Sequence, residues 1–200
     1  MVDINNYPFN CRFLYRDAVR DATAFTASTE AAGHPVENIQ DPRQKYTWRS
    51  TNDSSEYFTV TFADNETPIN QVVLVNHNFP ADVGYTTCTI RIRLYNTVPT
   101  AIFDETTFVR NYGSMPAAAQ ERIENTLHSR VDTYHLTDDG STYDAASMRI
   151  DLQTATGTGD GYMEVGAVMA GAYFEPKYNF SYENIPIYPI DDSKKTISEG

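Results

Sequence analysis

Histidine is the first residue type to test for chemistry, and there are four: His34, His77, His128 and His135. None has a cysteine or carboxylate beside it at the spacing of zinc ligands, and no HExxH pair occurs. His77, in Asn76-His77-Asn78, directly follows an apolar run, where a polar group satisfied at a strand end accounts for it. Serine hydrolysis needs a nucleophile in a strained turn, and no GxSxG is present. The run Gly157-Thr158-Gly159-Asp160-Gly161 superficially resembles a phosphate loop. It lacks the lysine and the following helix, so it reads as a flexible connection between strands. Acidic turns offer oxygen ligands at Asp41, Asp53 and Asp138-Asp139-Gly140, but at no EF-hand spacing. Solvated turn carboxylates are the default there, with a structural calcium as the alternative. Trp48, the single tryptophan, could stack on a sugar ring, yet its place just before a clear strand predicts a core anchor. No catalytic set, metal site or cofactor is expected from these residues, and the function predicted is binding and assembly.

Two cysteines, Cys11 and Cys88, do not make a disulfide framework. Cys88 shares an alternating face with Ile90, Ile92 and Leu94, which predicts a buried thiol and a structural anchor. A Cys11–Cys88 bond would need an oxidising compartment that nothing else in the sequence indicates. The net charge of −12 argues against nucleic acid, which requires clustered Lys and Arg. The one basic pair, Lys194-Lys195, sits beside Asp191, Asp192 and Glu199. No apolar run approaches the ~20 residues of a membrane span. The opening MVDINNYPFN has neither the basic flank nor the apolar stretch of a signal peptide, so the expectation is a soluble chain made in the cytoplasm.

The elements that would hold these residues are mostly strands. Phe58, Val60 and Phe62 alternate with Tyr57, Thr59 and Thr61. Ile69 to Val75 follows, with Val72-Val73-Leu74-Val75 apolar on both faces, as a covered central strand would be. Thr87 to Tyr95 puts Cys88, Ile90, Ile92 and Leu94 inward, with Thr89, Arg91, Arg93 and Tyr95 outward. Val131 to Leu136 and Met148 to Leu152 are further strands, and Tyr162 to Phe174 reads as one long buried strand with close backbone approach at its Gly and Ala positions. Helical spacing is confined to about 114–129, where Ser114 could cap and Pro116 fits a first turn. The pattern predicts an all-β sandwich of one domain, 22–174, after an N-terminal segment 1–21, with the helix as an insertion. Its 14 Tyr and 10 Phe suit pleated sheets and contact surfaces.

Residues 175–200 differ in character. Tyr178, Phe180, Tyr182, Ile185, Ile187, Tyr188 and Ile190 are too apolar for a solvated linker. Pro186 and Pro189 exclude a central strand. The segment is expected to be an extended arm covering a surface, as far as Tyr182 on its own domain and from Ile185 onward on a neighbouring subunit.

Three segments carry a resemblance: Ala24 to Thr29, Pro35 to Asp41 and Thr47 to Thr51. Their order resembles the opening of discoidin-type, galactose-binding-like domains, and the strands at Phe58–Phe62, Ile69–Val75 and Thr89–Tyr95 continue it. The resemblance covers residues 22–96, with Met148 to Phe174 as closing strands, and implies a jelly-roll sandwich. Trp48 to Thr51, Val75 to Asn78 and Gly161 to Tyr182 are also similar to elements that recur in tailed-phage virion proteins of this fold. That similarity implies a virion localisation, as a tail or tail-tip structural component, with other virion proteins and copies of itself as partners. The relatives continue past the point where this chain stops at Gly200, and residues 97–147 match none of them. The alternative function is a carbohydrate-binding module that recognises a host or cell-surface glycan.

Overall fold

The computed structural model describes residues 13–41, 43, 45–79, 88–97, 100–108, 131–137, 141–155 and 157–174. Two compact units divide the chain, Leu14–Phe174 and a second formed by Met1–Phe13 with Glu175–Gly200; only Phe13 of the second is described. Among the described residues thirteen strands follow one another: β1 (Phe13–Leu14), β2 (Ala24–Ala27), β3 (Trp48–Arg49), β4 (Ser55–Thr61), β5 (Thr67–Ile69), β6 (Gln71–His77), β7 (Cys88–Tyr95), β8 (Ala101–Phe108), β9 (Val131–His135), β10 (Tyr143–Ala145), β11 (Ser147–Thr154), β12 (Glu164–Gly171) and β13 (Tyr173–Phe174). The expected all-β sandwich is therefore what forms. One sheet has five strands in the order β2-β4-β11-β7-β8, and the facing sheet has four, β3-β12-β6-β9. All these pairings are antiparallel.

Alternation builds the core. β4 buries Phe58 and Val60, β7 buries Ile90, Ile92 and Leu94, and β11 buries Met148, Ile150 and Leu152. Pairing puts these in rows, such as Phe58–Ile150–Ile92, because the register brings identical faces together. The facing sheet contributes Trp48, Val72, Leu74, Val165, Val168 and Ala170. On β7, Arg91 is exposed and Arg93 half-buried, on the outer face as the alternation requires. There Arg91 pairs with Asp104, Arg93 shares Asp151 with Arg149, and Arg149 lies 3.6 Å over the Tyr57 ring.

Several expectations are corrected in detail. The run from Ile69 to Val75 is two strands, β5 and β6, parted at Asn70, whose side-chain oxygen accepts from the Tyr173 N–H at 2.9 Å. In β6, Val72 and Leu74 are buried while Val73 and Val75 are half-buried, so its two faces are not equally covered. Tyr162 to Phe174 is likewise divided, into β12 and β13. Residues 14–21, set apart in the sequence reading, lie in the same compact unit as the sandwich. Here Ala18 and Val19 are buried, the Ala18 N–H donates to Ala170 O at 2.7 Å, and Asp17 Oδ1 accepts from the Val19 and Ala170 N–H groups. Gly171 permits this approach, since a Cβ there would stand 1.8 Å from the Arg16 carbonyl oxygen. The helix expected at 114–129 lies outside the described residues, as do Cys11, His128 and residues 138–140.

Candidate functional site

Antiparallel pairing collects one set of chain ends. Ser55 at the start of β4 pairs with Gln153 near the end of β11, and Cys88 at the start of β7 pairs with Thr154. In the other sheet, Glu164 at the start of β12 pairs with Arg49, and Val165 pairs with His77 at the end of β6. The two groups are stitched together. The Ser50 N–H donates to Met163 O at 2.9 Å, and the Thr154 N–H donates to Ser54 O at 2.9 Å. Residues 50–54, 78–79, 155 and 157–163 thus share one end of the sandwich.

At this end five polar and aromatic side chains converge. Arg49 Nε donates to Glu164 Oε2 at 2.8 Å, and its guanidinium lies 4.7 Å from the centre of the Tyr162 ring. Asn78 Nδ2 donates to the Tyr162 carbonyl at 2.9 Å and to Asp160 Oδ2 at 3.0 Å, while its Oδ1 accepts from the Glu164 N–H at 2.8 Å. Tyr162, Asn78, Arg49 and Glu164 are partly exposed, and Asp160 is exposed. Guanidinium, carboxylates, amide and phenol ring together offer donors, acceptors and an apolar plane on one surface.

The backbone beneath is specialised. Asn76 has φ 56°, the one non-glycine residue with positive φ among those described. Asparagine tolerates that region better than most residues. Gly166 stands opposite, where a Cβ would come within 2.7 Å of Asn76 Cβ. The left-handed step redirects the chain so that His77 turns inward, 5% exposed and stacked on Phe79 at 4.6 Å, and Asn78 faces the cluster. The glycine-rich connection between β11 and β12 is built on left-handed Gly157, Gly159 and Gly161. The Thr158 hydroxyl closes it by donating to Tyr162 O at 2.7 Å. Below the same end, Glu56 is 3% exposed, with Asn52 Nδ2 at 2.9 Å from one carboxylate oxygen and the Ser28 hydroxyl on the other.

The residues singled out from sequence distribute as follows. Trp48 is fully buried, edge-on to Phe58 at 5.3 Å, with its Nε1–H donating to Thr29 O at 3.1 Å. Cys88 is buried at 4% exposure. His34 Nδ1 lies 3.1 Å from both the carbonyl and hydroxyl of Thr47, in the connection before β3. Asp41 is ion-paired with Arg43, whose guanidinium holds its carboxyl down at about 2. Asp53 packs against Gly157, where a Cβ would meet its Oδ2 at 2.4 Å. Among the described residues no three His, Cys, Asp or Glu gather as a metal site. Tyr178, Phe180, Tyr182, Ile185, Ile187, Tyr188 and Ile190 lie outside the described residues. Arg49, Asn78, Asp160, Tyr162 and Glu164 were not picked individually from sequence, although the segments containing four of them carried the resemblance.

At the opposite end, an open basin of about 870 Å³ is lined by Asp64, Asn65, Glu66, Asn96, Thr97 and Asp144. It is polar throughout and has no aromatic ring in its wall, so it lacks the mixed character of the Arg49–Tyr162 surface.

No protein-family model matches the sequence, and no curated protein matches it. Solved structures do share its fold. The chain is similar to the family 32 carbohydrate-binding module (CBM) from C. perfringens NanJ in complex with galactose, with 14% identity and a TM-score of 0.52 over 82% of this chain and 100% of that one. A second similarity is to a Clostridium perfringens CBM32 in complex with GalNAc-β-1,3-galactose, with 10% identity and a TM-score of 0.54 over 78% and 100%. A third is to a Streptococcus pneumoniae fucose binding module, with 11% identity and a TM-score of 0.52 over 80% and 100%. The fold is thus the galactose-binding-like jelly roll.

Proposed function

We propose that this chain is a non-catalytic carbohydrate-binding module that holds a saccharide at the Arg49–Tyr162 end of the sandwich. The observation that carries the reading is the convergence of Arg49, Asn78, Asp160, Tyr162 and Glu164 beside a partly exposed ring. A sugar presents apolar C–H patches beside hydroxyls that both donate and accept. It is matched by an aromatic plane flanked by a few fixed polar groups. Asn78 acts on position: its bonds to the 162 and 164 backbone hold Tyr162 and Glu164 where a ligand would meet them. The sugar-bound structures of the same fold support the reading by analogy, since fold alone does not determine function.

The test is a glycan array followed by titration calorimetry with galactose, N-acetylgalactosamine and fucose saccharides. Tyr162→Ala should weaken the best ligand at least about tenfold, the ~1.4 kcal/mol that a lost stacking partner contributes, with an unchanged unfolding midpoint. Binding that survives both Tyr162→Ala and Arg49→Ala would move the site elsewhere. A second reading, a structural component of a tailed-phage particle, is supported by the sequence similarity of Trp48–Thr51, Val75–Asn78 and Gly161–Tyr182. Failure on every glycan, together with incorporation into particles, would decide for that reading.

A further inference from the structure

The charges at the Arg49–Tyr162 end do not balance. Arg49 and Glu164 neutralise each other across 2.8 Å, with side chains 33% and 16% exposed. Asp160 has no such cation among the described residues: its Oδ2 accepts from the neutral amide of Asn78 at 3.0 Å. The described surface therefore carries one carboxylate more than it has cations. That carboxylate is also held in place. The same Asn78 Nδ2 donates to the Tyr162 carbonyl at 2.9 Å, which ties the Asp160 side chain to the segment bearing the ring. The Asp160 N–H donates to the Thr158 hydroxyl oxygen at 3.3 Å, and that hydroxyl donates to Tyr162 O. Asp160 Oδ1 and Glu164 Oε1 accept nothing from the described residues, so each carboxylate keeps one oxygen for a ligand.

From this excess we infer that the saccharide held here is an amino sugar with its nitrogen as a free ammonium, and that acidic sugars are selected against. The inference rests on the glycan reading above and names the class of sugar. An ammonium brings donors and a positive charge to a surface rich in carboxylate acceptors, and such charge-assisted bonds are stronger than neutral ones. Because Asp160 is already fixed by Asn78 and Thr158, little ordering is needed to meet the ligand. A uronate or sulfate would bring its own charge alongside Asp160 and Glu164, and like charges placed together oppose binding. Arg49 does not reverse this, since Glu164 already satisfies its charge. A sugar ring is smaller than the Debye length of about 10 Å at 0.1 M salt, so the preference holds whichever ring carbon bears the nitrogen. The net charge of −12 acts in the same direction at longer range.

The experiment is titration calorimetry of the full chain at low salt and about pH 6, where amines and carboxylates are both ionised. The probes are galactose, galactosamine and galacturonate, with glucose, glucosamine and glucuronate beside them. In the series that binds, the amino sugar should be at least about threefold tighter than the neutral one, the scale of one exposed ion pair. The acidic sugar should be weaker than the neutral one. Raising the salt to about 0.5 M should shrink the difference, a test that needs no variant. Asp160→Asn, which keeps an oxygen for Asn78 and removes the charge, should bring the ratio of amino to neutral affinity down towards one. The ratio is taken within each protein, so a general loss of affinity does not mimic the effect. A neutral or acidic sugar that binds as tightly as its amino counterpart overturns the inference and leaves the glycan reading standing. So does a ratio that neither salt nor Asp160→Asn changes. Binding of no saccharide at all, here or on the array, overturns both.

Discussion

Gly166→Ala is the substitution whose consequence is best worked from the geometry. The new Cβ would lie 2.7 Å from Asn76 Cβ and 2.9 Å from its Nδ2. Because the first contact is with a Cβ, no rotamer change relieves it and the Asn76 backbone must move. Overpacking of this kind costs about 1–3 kcal/mol. The displaced step also carries Asn78 away from the Tyr162 carbonyl and the Glu164 N–H, which it bonds at 2.9 and 2.8 Å. Asn76→Gly removes the opposing Cβ and tolerates φ 56° without strain. The double variant should therefore recover most of the loss, with a coupling of at least about 1 kcal/mol between residues in contact. Urea unfolding of all four chains measures it, provided the slope with denaturant stays constant. Strict additivity, within about 0.5 kcal/mol, would refute the argument that the two residues oppose each other.

Trp48→Ala should destabilise by about 3–5 kcal/mol, read by the same unfolding assay; a loss below about 1 kcal/mol would contradict its place in the core. Glu56→Ala removes the acceptor shared by the Ser28 hydroxyl, which also lies 3.2 Å from Tyr57 O, and the exposed Asn52 amide, and should cost about 0.5–1.5 kcal/mol, also by urea unfolding. Asp41 should titrate at about 2 by carboxyl NMR, and Arg43→Gln should raise that midpoint towards 3.8. Its folded value is depressed, so its contribution is present above the unfolded value and fades as pH falls towards 2. Asp17 runs the other way: burial raises its carboxyl above the ordinary value against the backbone N–H groups of Ala170 and Val19. The folded state therefore favours the protonated acid, and stability gains as pH falls from the raised value towards the unfolded one. Asp17→Asn, which keeps the acceptor oxygen, should not lower the unfolding midpoint at neutral pH and should flatten that acid-side gain.

Strands that alternate strictly were readable because one face is core and the other solvent. β4, β7 and β11 run side by side in the five-stranded sheet, and each shows the period of two in its residues. β8 escaped notice for the opposite reason: it is the edge of that sheet, Phe103 is its buried residue among those described, and Asp104, Glu105 and Thr106 are exposed. Two-residue β3 is too short to carry any period, yet Trp48 marked its place. The candidate site was legible only in pieces. Arg49 and Glu164 are 115 residues apart, and nothing in either neighbourhood specifies the other. What could be read was that their segments belong together; the physical reason is the pairing of β3 with β12 and the left-handed step at Asn76.

The order of strands also constrains how the chain is made. β11 is the partner of both β4 and β7, and β12 is the partner of both β3 and β6. During vectorial synthesis the flanking strands emerge first, with their inner edges unpaired until residues 147–154 and then 164–171 leave the ribosome. Open edges on half-made sheets invite pairing with other nascent chains, and such long-range topologies close slowly. A translation pause shortly before β11 would prolong that exposed interval, whereas one after β12 has cleared the exit tunnel would fall on a sandwich with both central strands in place.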